Sequence, residues 1–142
     1  MSSTAKPIVI RAAEIGDAEA IELLVEPYVK NRILLRRSIE ELRDLTRNGF
    51  IAEQDGRIVG FSAVDIYSKK LAELQCLAVT AEAQRQGAGK MLVQACLECA
   101  RKHQVLEVMA ITASEDFFRS CGFDYALPDQ KKALFINTWP RY

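Results

Sequence analysis

The spacing of hydrophobic and polar residues changes several times along the chain, and each change predicts a new element. An apolar run at residues 8–11 indicates a first strand. Apolar side chains at helical spacing follow Asp17, a candidate N-cap, and predict a helix that ends near Pro27. A capping-box pattern that begins at Ser38 predicts a second helix, which ends near residues 48–49.

The middle of the chain changes to strand-like spacing. Residues 50–53 and 57–64 are apolar enough for two strands, and the Asp-Gly pair at residues 55–56 suits the tight turn of a hairpin. Residues 71–79 predict a further strand, which is sufficiently apolar to lie centrally in a sheet. A long amphipathic helix is then expected over residues 87–103.

The last part of the chain is predicted to alternate between strands and a short helix. Residues 108–112 indicate a strand, residues 115–120 a helix, and Phe123 and residues 133–137 the last two strands. The whole order is β-α-α-β-β-β-α-β-α-β-β. We therefore expect an α/β fold with a mixed, mostly antiparallel central sheet of six to seven strands and four flanking helices.

Composition and charge narrow the class of protein. At 142 residues and 49% apolar content, the chain is expected to form a single domain over residues 1–142. Nineteen basic residues balance nineteen acidic ones, which argues against nucleic acid or a membrane surface as the partner. No apolar run approaches a membrane span, and the first residues lack a secretory signal. We expect a cytoplasmic protein.

Three residues of metal-ligating types share one face of the predicted main helix. Cys96, Cys99 and His103 have the spacing i, i+3 and i+7. A zinc site would need that face to reach a fourth ligand, whereas the alternative is that the cysteines belong to a buried stripe beside Leu92. We favour the stripe and expect no metal.

The segment between the central strand and the main helix carries the strongest functional signal. It reads Gln84-Arg-Gln-Gly87-Ala-Gly89, so two glycines open a helix directly after a strand. Glycines allow a ligand to approach the backbone closely, and the unpaired N–H groups of a first helical turn favour an anion such as a pyrophosphate.

This segment, in this order of elements, resembles the GNAT acyltransferase superfamily. The six residues fit the family form (Gln/Arg)-x-x-Gly-x-(Gly/Ala), and a second family element appears as Phe118-Arg-Ser-Cys-Gly-Phe123. A Rossmann site fits less well, because only two glycines match its pattern and an extended β-meander precedes them. The resemblance implies acetyl-CoA as cosubstrate and assigns these residues to it: Leu77, Ala78, Val79, Gln84, Arg85, Gln86, Gly87, Ala88, Gly89, Lys90 and Phe118.

A narrower resemblance concerns the acceptor. Residues 33–38, 73–79 and 131–135 are similar to the acetyltransferase domain of bacterial N-acetylglutamate synthases, although the amino-acid-kinase domain of the long synthases is absent from this sequence. Arginine binds carboxylates bidentately, so an arginine pair suits an amino-acid acceptor. The residues implied as acceptor contacts are Arg36, Arg37, Cys76, Ser114 and Arg141. Both adjacent arginines can instead be solvated or ion-paired.

The resemblance also suggests catalytic groups. Glu73 is the candidate general base, because histone-acetylating members carry a glutamate on the same strand; the alternative is an ordinary strand residue. A backbone N–H near Leu77 is expected to stabilise the oxyanion. Many relatives place a tyrosine, the general acid, where this chain has Phe118, which leaves Ser114, Tyr125 or solvent to protonate the thiolate.

We therefore expect an N-acetyltransferase in which the amine of a small amino acid, with glutamate favoured, attacks acetyl-CoA directly in a ternary complex. One alternative acceptor is a protein lysine or N-terminus. A second alternative is a non-catalytic acyl-CoA sensor, which would retain Gly87 and Gly89 but would not need Glu73. A homodimer is a further expectation from the resemblance.

Overall fold

The computed structural model describes residues 6–125 and 133–140. The strands are β1 (Val9–Ala12), β2 (Gly49–Gln54), β3 (Arg57–Ile66), β4 (Leu71–Val79) and β5 (Glu107–Met109). The helices are α1 (Ala18–Lys30), α2 (Ile39–Leu45), α3 (Ala81–Gln84), α4 (Ala88–Lys102) and α5 (Glu115–Ser120). Short 3-10 turns precede α1 and β2. In this part of the chain no helix is both long and apolar enough to span a membrane.

The five strands form one mixed sheet in the order β1-β2-β3-β4-β5. The first four strands are antiparallel, and β5 runs parallel to β4. The predicted α/β class is confirmed, but the described residues give five strands rather than six to seven. Neither Phe123 nor residues 133–137 form a strand. An apolar sequence becomes a strand only when a neighbour pairs with its backbone, and Leu134, Phe135 and Ile136 are instead 79–90% exposed.

Two local sequence signals form the predicted structures. Asp55 and Gly56 both have positive φ, at 55° and 73°, as a primed two-residue turn requires, and they join β2 to β3. The Ser38 hydroxyl accepts a hydrogen bond from the Glu41 N–H at 3.2 Å, while the Glu41 carboxylate accepts one from the Ser38 N–H at 2.8 Å. The capping box thus fixes the start of α2.

Both predicted ends of the first helix need correction. Asp17 stands at the N-cap position of α1, but its side chain does not cap the helix, because it binds Arg11 in two hydrogen bonds of 2.9 Å. The helix also continues past Pro27 to Lys30. Proline disfavours the interior of a helix, but Tyr28 and Val29 pack against the core and keep the chain helical to Lys30.

The core lies on both faces of the sheet. On one face, α1 and α2 cover Ile51 and Phe61, which are both fully buried. On the other face, α4 packs against Val64 and Leu74. The sheet is therefore sandwiched between two helical layers, and both layers reach the end of β4 where the functional site is expected.

The cysteine-rich face of α4 belongs to this core. Cys96 is fully buried, and burial raises the pKa of its thiol to about 12. The His103 ring nitrogen Nδ1 lies 2.9 Å from the Cys99 carbonyl at the end of the helix. Within residues 6–125 and 133–140, no group of three or more histidine, cysteine or acidic residues has a metal-binding arrangement.

Candidate active site

The pairing between β4 and β5 is short, and a cavity fills the space beyond it. Only three residue pairs join the two strands, from Leu71–Glu107 to Glu73–Met109. Strand β4 then continues to Val79, whereas the chain after β5 diverges through residues 110–114. The cavity between them has a volume of about 660 Å³, which is within the range of small-molecule sites. The backbone edge of β4 thus faces open space.

A β-bulge lies in β4 at the middle of this cavity. Gln75 pairs with Ala63 and Ala78 pairs with Phe61, so two β4 residues, Cys76 and Leu77, occupy the length of one β3 residue. Cys76 has φ of 63°, a left-handed conformation that is uncommon outside glycine. The bulge leaves Leu77 without a register partner in β3 and brings both Cys76 and Leu77 to the cavity wall.

The start of α4 forms one end of the cavity. Gly87 occupies the N-cap position with φ of 82° and, as a glycine, has no side chain that could cap the helix. A Cβ atom added at Gly87 would meet nothing within 4 Å, so the space beside it is open. The first-turn N–H groups of a helix have no intrahelical acceptors, and α4 is 15 residues long. This end of the cavity therefore suits an anion.

Gly89 has a packing role that the sequence pattern did not predict. A Cβ atom there would lie 3.2 Å from the ring of Phe117 in α5. The absence of a side chain at Gly89 thus lets α5 pack closely against the first turn of α4.

The predicted coenzyme residues fall into two groups. Those that line the cavity are Leu77, Val79, Gln84, Gly87, Gly89, Lys90 and Phe118. Those that do not are Ala78, Arg85, Gln86 and Ala88. Ala78 and Ala88 are buried in the core, and the Gln86 side chain accepts a hydrogen bond of 2.7 Å from Gln54. The roles of all these residues in binding remain predictions.

Tyr28 of α1 lines the cavity and was missed from the sequence. Its hydroxyl donates to the carbonyl oxygen of Val79 and accepts a 2.9 Å hydrogen bond from the Gln84 side chain, which also donates to Val79. The Tyr28 carbonyl accepts the N–H groups of Ile33 and Leu34, which line the cavity too. No sequence motif marks Tyr28, because its role arises from contacts between distant segments.

The second family motif, Phe118–Phe123, forms the C-terminal end of α5 and the turn that follows it. The N–H of Phe123 bonds to the carbonyl of Phe118, and the N–H of Gly122, with φ of 101°, bonds to that of Arg119. These are the two hydrogen bonds of a Schellman motif, and the Phe118 and Phe123 rings meet edge to face at 5.3 Å. The motif holds Phe118 in the cavity wall, where it is 7% exposed.

The predicted acceptor residues lie around Cys76. Cys76 and Ser114 line the large cavity, whereas Arg36 and Arg37 line a small adjoining pocket that also includes Cys76. Burial raises the pKa of the Cys76 thiol. Arg141 lies outside the described residues.

The two arginines have different partners. Arg36 binds Glu26 through two hydrogen bonds of 3.2 Å, and this lowers the pKa of Glu26. The carboxylate that pairs with Arg36 thus comes from α1. Arg37 donates to the side-chain oxygen of Gln75 at 3.4 Å.

Glu73 does not line the large cavity, although it lies on β4 three residues before Cys76. Its carboxylate oxygen Oε1 accepts hydrogen bonds from the Tyr67 hydroxyl at 2.5 Å and from Gln75 at 3.3 Å. A base role for Glu73 therefore needs a water or a substrate atom to bridge the distance to the cavity.

Comparison with known proteins identifies the family. A model described as Acetyltransferase (GNAT) family matches residues 17–123. The chain belongs to this family. The GNAT match covers both glycine motifs and the split between β4 and β5. The predicted fold class, the N-acetyltransferase class and acetyl-CoA as cosubstrate are confirmed at the level of this family.

Individual relatives of this GNAT chain carry narrower names. An uncharacterized N-acetyltransferase of Chlorobaculum tepidum is 34% identical over 80% of the chain and 74% of its own length. An amino-acid acetyltransferase of Pasteurella multocida is 30% identical over 87% of the chain but only 29% of its own length. The chain therefore spans less than a third of that longer relative.

A solved structure shows the same fold with ligands. N-acetylglutamate synthase of Neisseria gonorrhoeae, complexed with coenzyme A and N-acetyl-glutamate, superimposes with a TM-score of 0.79 at 30% identity. The match covers 91% of this chain and 31% of the synthase.

Proposed function

We propose that this chain transfers the acetyl group of acetyl-CoA to the α-amino group of a small acidic amino acid, with glutamate as the first candidate. The observation that carries the proposal is the continuous cavity from the uncapped start of α4 to Cys76, next to the pocket that holds Arg36 and Arg37. An anion-binding end is thereby joined along one strand edge to an end with two arginines, of which Arg36 is paired with Glu26.

The donor end is formed by backbone groups. The N–H groups of the first turn of α4 would bind the pyrophosphate, with Lys90 beside them. The open edge of β4 at Leu77–Val79 would pair with the pantetheine arm, as an added strand pairs with a sheet edge. The thioester supplies an activated acyl carbon at the inner end of this arm.

The chemistry requires a neutral amine and a stabilised oxyanion. Glu73 would accept the ammonium proton through a water, and the amine nitrogen would then form a bond to the thioester carbon. The N–H of Leu77, which has no register partner in β3, is the candidate oxyanion donor. The C–S bond breaks as the carbonyl re-forms, and the nitrogen releases its second proton to solvent to give the amide. Phe118 has no hydroxyl, so Ser114, Tyr125 or water would protonate the thiolate.

The acceptor assignment depends on the arginine pair and on the relatives. A carboxylate at the Cys76 end of the cavity would lie beside the small pocket lined by Arg36 and Arg37. Among the relatives, the Pasteurella protein is named an amino-acid acetyltransferase and the Neisseria synthase was crystallised with N-acetyl-glutamate. These findings support an acidic amino acid over other small amines.

A thiol-release assay with acetyl-CoA and an acceptor panel tests the proposal. The panel contains glutamate, aspartate, glutamine, lysine and a short peptide with a free N-terminus. We expect glutamate to have the highest kcat/KM. Glutamine is the matched control, since it replaces only the side-chain carboxylate with an amide and should be about tenfold or more poorer.

Two other results would replace the proposal. Preference for the peptide over every amino acid would indicate a protein acceptor. Tight binding of coenzyme A, with no thiol release from any member of the panel, would indicate an acyl-CoA sensor.

A further inference from the structure

Four polar side chains form a continuous hydrogen-bonded chain beside the cavity. Glu73 and Gln75 lie two residues apart on β4, and Tyr67 comes from the turn that precedes this strand. The Tyr67 hydroxyl donates to Oε1 of Glu73 and accepts from Nε2 of Gln75 at 3.0 Å. Arg37, from the segment before α2, reaches the other end of the Gln75 amide. The chain connects the candidate base to a candidate acceptor-binding cation.

Gln75 separates two groups of opposite charge. Its Oε1 accepts from Nη2 of Arg37, while its Nε2 donates toward Glu73 and Tyr67. A neutral amide has both a donor and an acceptor end, which neither a carboxylate nor a guanidinium has. Removing this amide would take away one contact that orients the Arg37 guanidinium and one that orients the Glu73 carboxylate.

The hydrogen bonds to Glu73 from the described residues use only one of its two carboxylate oxygens. Both hydrogen bonds to Glu73 end on Oε1, and in residues 6–125 and 133–140 no hydrogen bond is made to Oε2. The Tyr67 donor stays protonated at neutral pH, because burial and the Glu73 carboxylate raise the pKa of Tyr67 to about 12. Glu73 is therefore oriented through one oxygen while the other is available to a water or an amine.

We propose that Gln75 is a positioning residue, which with Tyr67 holds Glu73 and Arg37 apart and in their working orientations. The inference rests on the proposed function, because it assigns these orientations to proton removal and to carboxylate binding. Gln75 acts on the acceptor through Arg37 and on the base through Glu73. Tyr67 contacts Glu73 directly and reaches Arg37 only through Gln75, so the two residues should have separable kinetic effects.

Steady-state kinetics of two variants test this separation with glutamate as acceptor. Gln75→Leu keeps the approximate size but removes the amide, and we expect about a tenfold higher acceptor KM together with a lower kcat. Tyr67→Phe removes one hydroxyl, and we expect kcat to fall by about tenfold with little change in acceptor KM. Coenzyme affinity should be unchanged in both. Gln94→Leu, on the exposed side of α4, is the matched control.

A double-mutant cycle adds a readout that a purely structural role would not change. If Gln75 acts on kcat through Glu73, the kcat loss of Gln75→Leu should largely disappear in a Glu73→Gln background. Additive losses would mean that Gln75 does not act through Glu73. Thermal unfolding of each variant separates these effects from a loss of fold.

The outcomes distinguish this inference from the proposed function. A wild-type protein with no acceptor-dependent thiol release would overturn the proposed function and, with it, the assignment of these contacts. An active wild type whose Gln75→Leu variant keeps the acceptor KM, or whose Tyr67→Phe variant keeps kcat, would overturn only the positioning role.

Discussion

The two ends of the cavity are built from different parts of the polypeptide. The proposed donor end consists of backbone: the first turn of α4 after Gly87 and the open edge of β4. The proposed acceptor end consists of side chains from separate segments, among them Arg37, Cys76 and Ser114. A backbone site needs only a particular conformation, which few residues adopt, whereas a side-chain site needs several residues to converge. The first is therefore visible in a sequence motif and the second is not.

The strongest test of this contrast disrupts the left-handed backbone conformation at Gly87. Gly87→Val should weaken coenzyme binding by about a hundredfold or more, because a β-branched residue opposes the positive φ and its side chain enters the open space beside it. Titration calorimetry measures the affinity.

Gly56 provides a matched control for this variant. It also has positive φ and open space around it, but it lies in the β2–β3 turn, away from the cavity. Gly56→Val should lose about 1–2 kcal/mol of stability yet bind coenzyme normally. Equal coenzyme affinity in the two variants would contradict coenzyme binding by the backbone at Gly87.

A second test separates chemistry from donor binding at Glu73. Glu73→Gln keeps the shape but removes the proton acceptor, so we expect kcat to fall by about a hundredfold while coenzyme affinity is retained. The thiol-release assay gives the rate. Glu98→Gln, on the exposed surface of α4, is the control. Unchanged turnover would leave proton removal to solvent.

A third test concerns Tyr28, whose hydroxyl contacts Val79 and Gln84 at the proposed donor end. Tyr28→Phe removes the hydrogen bonds to Val79 and Gln84 but keeps the ring in the cavity wall. We expect coenzyme affinity to fall by about three- to tenfold, as for the loss of one or two neutral hydrogen bonds. If the affinity is unchanged, the Tyr28 hydroxyl contributes nothing to the donor end.

The smallest expected effect distinguishes the two arginines. The Arg36 partner Glu26 has a lowered pKa, so it stays ionised at neutral pH and releases Arg36 only as the pH falls into the acidic range. Glu26→Gln should free Arg36 at neutral pH and lower the KM for glutamate about two- to threefold. Glu19→Gln, which removes the similar surface pair with Arg43, is the control. An unchanged KM would exclude Arg36 from acceptor binding.

The difference between backbone sites and side-chain sites also explains which features could be predicted from the sequence. The Asp55-Gly56 turn, the Ser38 capping box and Gly87 each encode a local conformation, and the structure contains all three. Gly89 was assigned to the ligand alone, although Phe117 packs against it. That contact joins two helices, and no local pattern in the sequence reveals it.

The errors concern structure that depends on distant partners. Pro27 was expected to end α1, but the helix continues to Lys30 because Tyr28 and Val29 pack against the core. The apolar residues 133–137 were expected to form a strand, which requires a pairing neighbour as well as a composition. Tyr28 and Gln75 have no motif at all, since their importance comes from hydrogen bonds to other segments.

The early separation of β4 from β5 has a thermodynamic consequence. Three residue pairs hold the two strands together, and within residues 6–125 and 133–140 no strand lies beside the remaining edge of β4. If the pantetheine arm occupies that edge, the donor substrate completes the sheet and binds only the folded chain. Folding and donor binding are then linked equilibria: at a hundred times the dissociation constant, the ligand would add about 2.7 kcal/mol to the free energy of unfolding. Resistance to heat would thus depend on the supply of acetyl-CoA.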